Sequence, residues 1–202
     1  THDGRELVFA AKQDCDELSN KQTKHTAEQI CWSITTLDFA QTLSAPQQPD
    51  FRYLCQADRL ENPKALSNHQ YVFLQYEDGR YQLKHYDDLS KSLTRLYSSE
   101  QNYIYHFDYD VKHKRFAVIS RDNNFNNLVE LLDQNGQLLS HNKIRLTQGI
   151  SQNQNFPANF EPEGEYLLAT SNNSLYKIEF NGQLQMIKTP ETNLVSVVKH
   201  PD

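Results

Sequence analysis

Glycine is scarce in this chain: six residues in 202, where average usage of about 7 % would place roughly fourteen. The scarcity goes with the absence of phosphate-cradling loops, since neither G-x-G-x-x-G nor a Walker loop occurs and nearly all the glycines fall in turns. No stretch approaches eighteen consecutive apolar residues, so nothing in these 202 residues reads as a membrane-spanning helix. Lysine and arginine form no run, and the net charge is -6. Nucleic-acid binding is therefore not expected, because attraction to phosphates needs clustered cations. There is no C-x-x-C, H-x-H or H-E-x-x-H spacing to hold a metal, and no G-x-S-x-G elbow to present a serine nucleophile. The sequence leads us to expect no catalytic residue, no metal and no cofactor.

Cysteine is also sparse, at Cys15, Cys31 and Cys55. Cys15 and Cys31 flank a polar insertion between two strand-like runs. Two readings stand: a disulfide between Cys15 and Cys31 stapling a hairpin, or three reduced thiols.

What the chain does have is aromatics, with 11 Tyr and 10 Phe, against a hydrophobic content of 37 % and a mean hydropathy of -0.78. A disordered chain would lack them. The combination fits an all-β protein with short strands and wet outer faces. Short apolar or alternating runs recur throughout, broken by turn residues every eight to twelve positions, which excludes a helical period. Asp78-Gly79, between runs 71–76 and 81–86, is a strong hairpin signal, because a type I′ turn needs positive φ at both central residues.

These hairpins repeat. Leu131-Leu132-Asp133-Gln134-Asn135-Gly136-Gln137-Leu138 returns as Lys177-Ile178-Glu179-Phe180-Asn181-Gly182-Gln183-Leu184. An acidic residue after an apolar one (Asp38, Asp87, Asp133, Glu179) steps along the chain at intervals of 49, 46 and 46. A second marker, Glu6, Gln70, Arg115 and Glu165 at the heads of equivalent runs, steps at 64, 45 and 50, the first interval stretched by the insertion at 13–29. A period in the forties built of about four short strands is the signature of β-propeller blades. The expectation is one domain over residues 1–202, of about four four-stranded antiparallel blades, as a fragment of a larger propeller or as a small closed ring. Of these two we favour the fragment. A fragment would carry open edge strands and dimerise through them. The approach at 51–64 reads as irregular.

The residues at these turns carry a resemblance. His2-Asp3-Gly4-Arg5-Glu6-Leu7-Val8-Phe9 and Glu161-Pro162-Glu163-Gly164-Glu165-Tyr166-Leu167-Leu168 resemble the "SPDGKxIAF" element of TolB-like, WD40-like propeller repeats. Ser120-Arg121-Asp122-Asn123-Asn124, followed by residues 128–136, resembles the same repeat's "SDRDGNxEIYVMDxDG" portion. The second and third units depart from it, with Ser67-Asn68-His69 and Lys112-His113-Lys114 in place of Asp-Gly. Such repeats occur in periplasmic scaffolds, in the gating domains of prolyl-oligopeptidase-like peptidases, and in the extracytoplasmic parts of membrane-anchored winged-helix regulators of the CadC and ToxR type. The low glycine content and the single long insertion look most like the last. That resemblance implies a non-catalytic, extracytoplasmic sensor that binds a protein or small ligand, on a parent anchored in the inner membrane.

One local cluster stands out as a candidate binding site. His106, Asp108 and Asp110 are spaced two apart, so on a strand they share a face, and Tyr105 lies beside them. In a propeller the first strand of a blade lines the central channel, where such a set meets a ligand. The alternative is a strand end whose carboxylates cap a turn. Asn172-Asn173-Ser174 is either a glycan acceptor or simply an Asn-Asn turn.

Overall fold

The computed structural model describes residues 6–14, 30–38, 51–57, 59–146, 155–172 and 174–188. Cys15, most of the 13–29 insertion, Asn173 and the two chain ends lie outside these, and with them the choice between a Cys15–Cys31 disulfide and reduced thiols. The chain divides into two compact units, Thr1–Leu96 and Tyr97–Asp202. Among the described residues every element is a strand, and neighbouring strands pair antiparallel.

The first unit begins with β1 (Glu6–Asp14), β2 (Ile30–Asp38) and β3 (Phe51–Ala57), which form a three-stranded sheet in that order. A four-stranded sheet follows, of β4 (Leu60–Ser67), β5 (Gln70–Glu77), β6 (Arg80–Asp87) and β7 (Ser92–Ser98), the last running across the division between units. The expectation of four strands per blade thus holds for this sheet, while the first shows three among the described residues. Alternation sorts the core: Tyr71 and Phe73 on β5, with Tyr86 opposite Tyr71 on β6, face Ile34 and Leu60, and Val8, Ala10, Trp32, Leu54 and Ala65 pack around them. Asp78 and Gly79 both take positive φ, 52° and 78°, as a type I′ turn demands. The irregular 51–64 approach contains β3 and the start of β4, and its irregularity is a register shift between Glu61 and Lys64. There Asn62 turns left-handed (φ 53°) before Pro63, whose missing N–H cannot join a ladder.

The second unit holds two four-stranded sheets. One is β8 (Tyr103–Asp110), β9 (Arg115–Arg121), β10 (Asn127–Asp133) and β11 (Leu138–Lys143); the other is β12 (Ala158–Phe160), β13 (Leu167–Ser171), β14 (Ser174–Ile178) and β15 (Leu184–Lys188). Ala117 and Ile119 on β9 and Val129 and Leu131 on β10 share one core with Phe156, Ala158, Phe160, Leu167, Ala169, Tyr176 and Ile178.

Glu130 on β10 alternates with Val129 and Leu131 and so points to the opposite face. It is only 1 % exposed, and its carboxylate accepts from Ser120 Oγ (2.9 Å) and Tyr97 Oη (3.0 Å) and pairs with His141 Nδ1 (2.9 Å). Burial raises the Tyr97 phenol, and the Glu130 charge adds to that.

Two of the repeating acidic residues, Asp87 and Asp133, prove to be turn formers. Asp87 Oδ1 accepts the N–H groups of Leu89 (3.0 Å) and Ser90 (2.8 Å). Asp133 Oδ1 accepts those of Asn135 (2.9 Å) and Gln137 (2.8 Å). Both Asn-Gly hairpins are type I turns closed by a left-handed glycine, Gly136 at φ 81° and Gly182 at φ 86°, with the asparagine at ordinary negative φ.

Candidate functional site

The four residues singled out on β8 lie together, and three of them bond across to the next sheet or brace the turn against it. A register shift between Ile104 and His106 makes Tyr105 the extra residue of a bulge, which re-aims its side chain. The Tyr105 hydroxyl donates to Asn127 Oδ1 (3.0 Å) and accepts the N–H of Phe156 (3.1 Å). Burial pushes this phenol up, against a smaller opposing pull from the Phe156 N–H and the Arg121 charge. Asp108 Oδ2 accepts the N–H of Phe160 at 2.7 Å. His106 is half-buried, opposite Ile119 of β9.

Asp110, 4 % exposed, organises the turn after β8. Its Oδ1 accepts the His113 N–H (3.1 Å); its Oδ2 meets His113 Nδ1 (2.7 Å) and Arg115 Nε (3.2 Å). Burial alone would raise this carboxyl, but the bonds from His113 and Arg115 outweigh it and hold it below its ordinary value. The Arg115 guanidinium goes on to donate to the Gly164 carbonyl and lies 4.9 Å above the Phe180 ring and 5.6 Å above that of Phe160. Gly164 (φ 77°) is needed here: a Cβ would stand 2.2 Å from Asp110 Oδ2. The spacing-two inference about Asp108 and Asp110 therefore describes a polar seam between adjacent sheets.

The more exposed feature of this unit is the loop joining β9 to β10. Sequence reasoning treats residues 121–127 only as a turn. The available signal is a lone aromatic, Phe125, among four asparagines. Phe125 is 57 % exposed and sits at φ 63°, a conformation that strains a bulky side chain. Asp122 holds the loop there. Its Oδ1 accepts the N–H groups of Asn124 and Asn126 (both 2.9 Å) and the Asn126 carboxamide (3.1 Å), while its Oδ2 accepts the same carboxamide (2.8 Å) and pairs with Lys143 Nζ (3.3 Å). Burial tends to raise the Asp122 carboxyl, but the Asn126, Lys143 and Asn124 bonds prevail and lower it from 3.8 to about 2. Backbone bonds between Asp122 and Asn126 (3.0 Å) and from Phe125 N–H to Asp122 O (3.0 Å) close the loop. Beneath it, Arg121 reaches Asn155 Oδ1 (2.7 Å) and lies 5.8 Å over the Tyr105 ring. The result is a braced platform that presents one aromatic ring to solvent.

No protein-family model matches the chain, and no curated protein matches it in sequence. Solved structures do match its fold. TolB from Acinetobacter baumannii aligns over 91 % of this chain and 40 % of its own, with a TM-score of 0.58 and 17 % identity. Oligogalacturonate lyase from Vibrio parahaemolyticus aligns over 94 % of this chain and 52 % of its own, at TM-score 0.60 and 9 % identity. The β-propeller domain of the Trilobed protease from Pyrococcus furiosus aligns over 92 % and 54 %, at TM-score 0.55 and 6 % identity. The fold is that of a β-propeller, and the chain spans about half the length of these structures.

Proposed function

We propose that these 202 residues are a non-catalytic binding segment of a larger propeller, and that the loop at 121–127 carries the contact. The observation behind this is Phe125. Holding a bulky residue left-handed costs about 1–3 kcal/mol, and here that strain places an aromatic ring in water. Aromatic anchors on pre-organised loops are the usual high-energy contacts of protein interfaces, since ordering is completed before the partner arrives. In its more specific form, the segment is the extracytoplasmic sensor of a membrane-anchored winged-helix regulator that receives a protein or small ligand. The likeness to the propeller of a protease favours a second reading, in which the segment belongs to the gate of an oligopeptidase.

The parent chain separates the two. A winged-helix domain and an apolar stretch of about 20 residues ahead of this segment support the sensor, whereas a serine-elbow hydrolase domain supports the gate. In the parent, Phe125→Ser should abolish the transcriptional response, or alter peptide-size selectivity, without lowering the melting temperature. Unchanged output from a folded Phe125→Ser parent would overturn the docking role of the loop.

A further inference from the structure

The chain carries the tetrapeptide Asn-Gly-Gln-Leu twice, at 135–138 and 181–184. Local sequence is therefore identical at the reacting bond, and any difference in chemistry between the two copies must come from structure. We propose that Asn135 is a site of spontaneous deamidation in the folded protein and that Asn181 is protected. In this reaction the Gly136 nitrogen attacks Asn135 Cγ. The new C–N bond closes a succinimide, the Cγ–Nδ2 bond breaks, and ammonia leaves. Water then opens the ring at either carbonyl, giving aspartate or isoaspartate, so that one water is consumed for each ammonia released.

The attack needs the glycine nitrogen behind the carboxamide carbon. A type I turn does not place it there, since ψ at the asparagine lies near 0° and the glycine N–H is occupied. Gly136 N–H donates to Asp133 O at 3.0 Å, and Gly182 N–H to Glu179 O at 2.8 Å. Reaction at either site has to wait for the turn to open, and the two turns differ in what opening breaks.

Among the described residues the Asn135 turn is held by its own hairpin alone, through Gly136 N–H to Asp133 O, Asp133 N–H to Gln137 O (2.9 Å), and the Asp133 carboxylate. Among the described residues the exposed Asn135 carboxamide has no hydrogen-bond partner, which leaves its Cγ free to rotate into reach. At Asn181 the carboxamide is bonded twice, Oδ1 accepting the Gln183 N–H (2.8 Å) and Nδ2 donating to Glu179 Oε2 (3.3 Å). The neighbouring sheet also grips that turn. Arg145 N–H donates to Gly182 O (2.7 Å) and Asn142 Nδ2 to Phe180 O (2.8 Å), with Gly182 buried against Lys143 O. Two further bonds of ordinary net strength should suppress opening at 181 by at least about fivefold relative to 135.

Isoaspartate at 135 adds a methylene to the backbone beside Asp133, so its product is a loosened β10–β11 hairpin. The test is incubation of the 202-residue chain at mildly alkaline pH. It is followed by peptide mapping with mass spectrometry and by methyl acceptance from S-adenosylmethionine with an isoaspartyl-methylating enzyme. The expected result is conversion at Asn135 at least about fivefold faster than at Asn181 in the folded chain, with the two rates converging in strong denaturant. Asn142→Ala should raise the rate at 181 alone, and Asn135→Gln should remove the methyl-accepting site. Equal rates in the folded chain, faster reaction at 181, or a folded chain inert at both sites while the denatured one reacts would each overturn the proposal.

Discussion

Replacing Gly182 with alanine tests the sheet-to-sheet contact most directly. Two effects add. The residue sits at φ 86°, where an L side chain costs about 1–2 kcal/mol. The new Cβ would also stand 2.0 Å from the Lys143 carbonyl oxygen, a backbone atom that cannot swing aside as a side chain can. Relieving that clash moves the turn away from residues 143–145 and breaks the 2.7 Å bond from Arg145 N–H to Gly182 O. Loss of the bond and stranding of its donor add about 1–3 kcal/mol. Gly182→Ala should therefore lose roughly 2–5 kcal/mol. Gly79 supplies the control, with nearly the same φ (78°) and nothing within 4 Å of the methyl that alanine would bring; Gly79→Ala should lose only the conformational part, about 1–2 kcal/mol. Hydrogen exchange under native conditions reads each turn separately and reports the Arg145 amide itself, whose protection should collapse in Gly182→Ala. Equal losses in the two variants, or an Arg145 amide as protected as before, would refute the reasoning.

Two further expectations concern buried and bonded carboxylates. Glu130→Ala removes the acceptor shared by Ser120, Tyr97 and His141 and should lose roughly 2–4 kcal/mol in denaturant unfolding through the donors it strands, whereas Glu130→Gln, which keeps an acceptor oxygen of the same reach, should lose markedly less; similar losses would show that an acceptor oxygen at this position does not matter. Asp122 is held at about 2, below its ordinary 3.8, so its contribution to stability is complete above about pH 4 and disappears as pH falls from 4 toward 2. Allowing for solvent at a side chain 17 % exposed, it amounts to roughly 1–2 kcal/mol. The gap between wild type and Asp122→Ala should close over that interval, and a gap independent of pH there would contradict the assignment.

The parts of the fold legible in the sequence are those whose cause is local. The β10–β11 and β14–β15 hairpins announce themselves because an acidic residue and a glycine three positions later are enough to build a type I turn closed by a left-handed residue, in any context. The 51–64 approach reads as irregular because Asn62-Pro63 breaks the alternation on which strand recognition depends, and it is pairing with β2 and β5 that shows strands on either side. Phe125 escapes for a related reason: an exposed aromatic in an asparagine-rich turn has no pattern, and its significance lies in a φ imposed by Asp122.

By itself, then, the sequence determined the period, the hairpins and the shared face of Asp108 and Asp110, since turn chemistry and strand alternation act over a few residues. Only the tertiary structure decided what that face meets. Asp108 bonds the Phe160 N–H, 52 residues away, and Asp110 lies against Gly164. The same distinction separates the two Asn-Gly-Gln-Leu copies. They are identical as chain, yet one turn is held by its own hairpin and the other is also bonded to the neighbouring sheet, because contacts between sheets depend on which backbone atoms packing brings together and not on any local pattern.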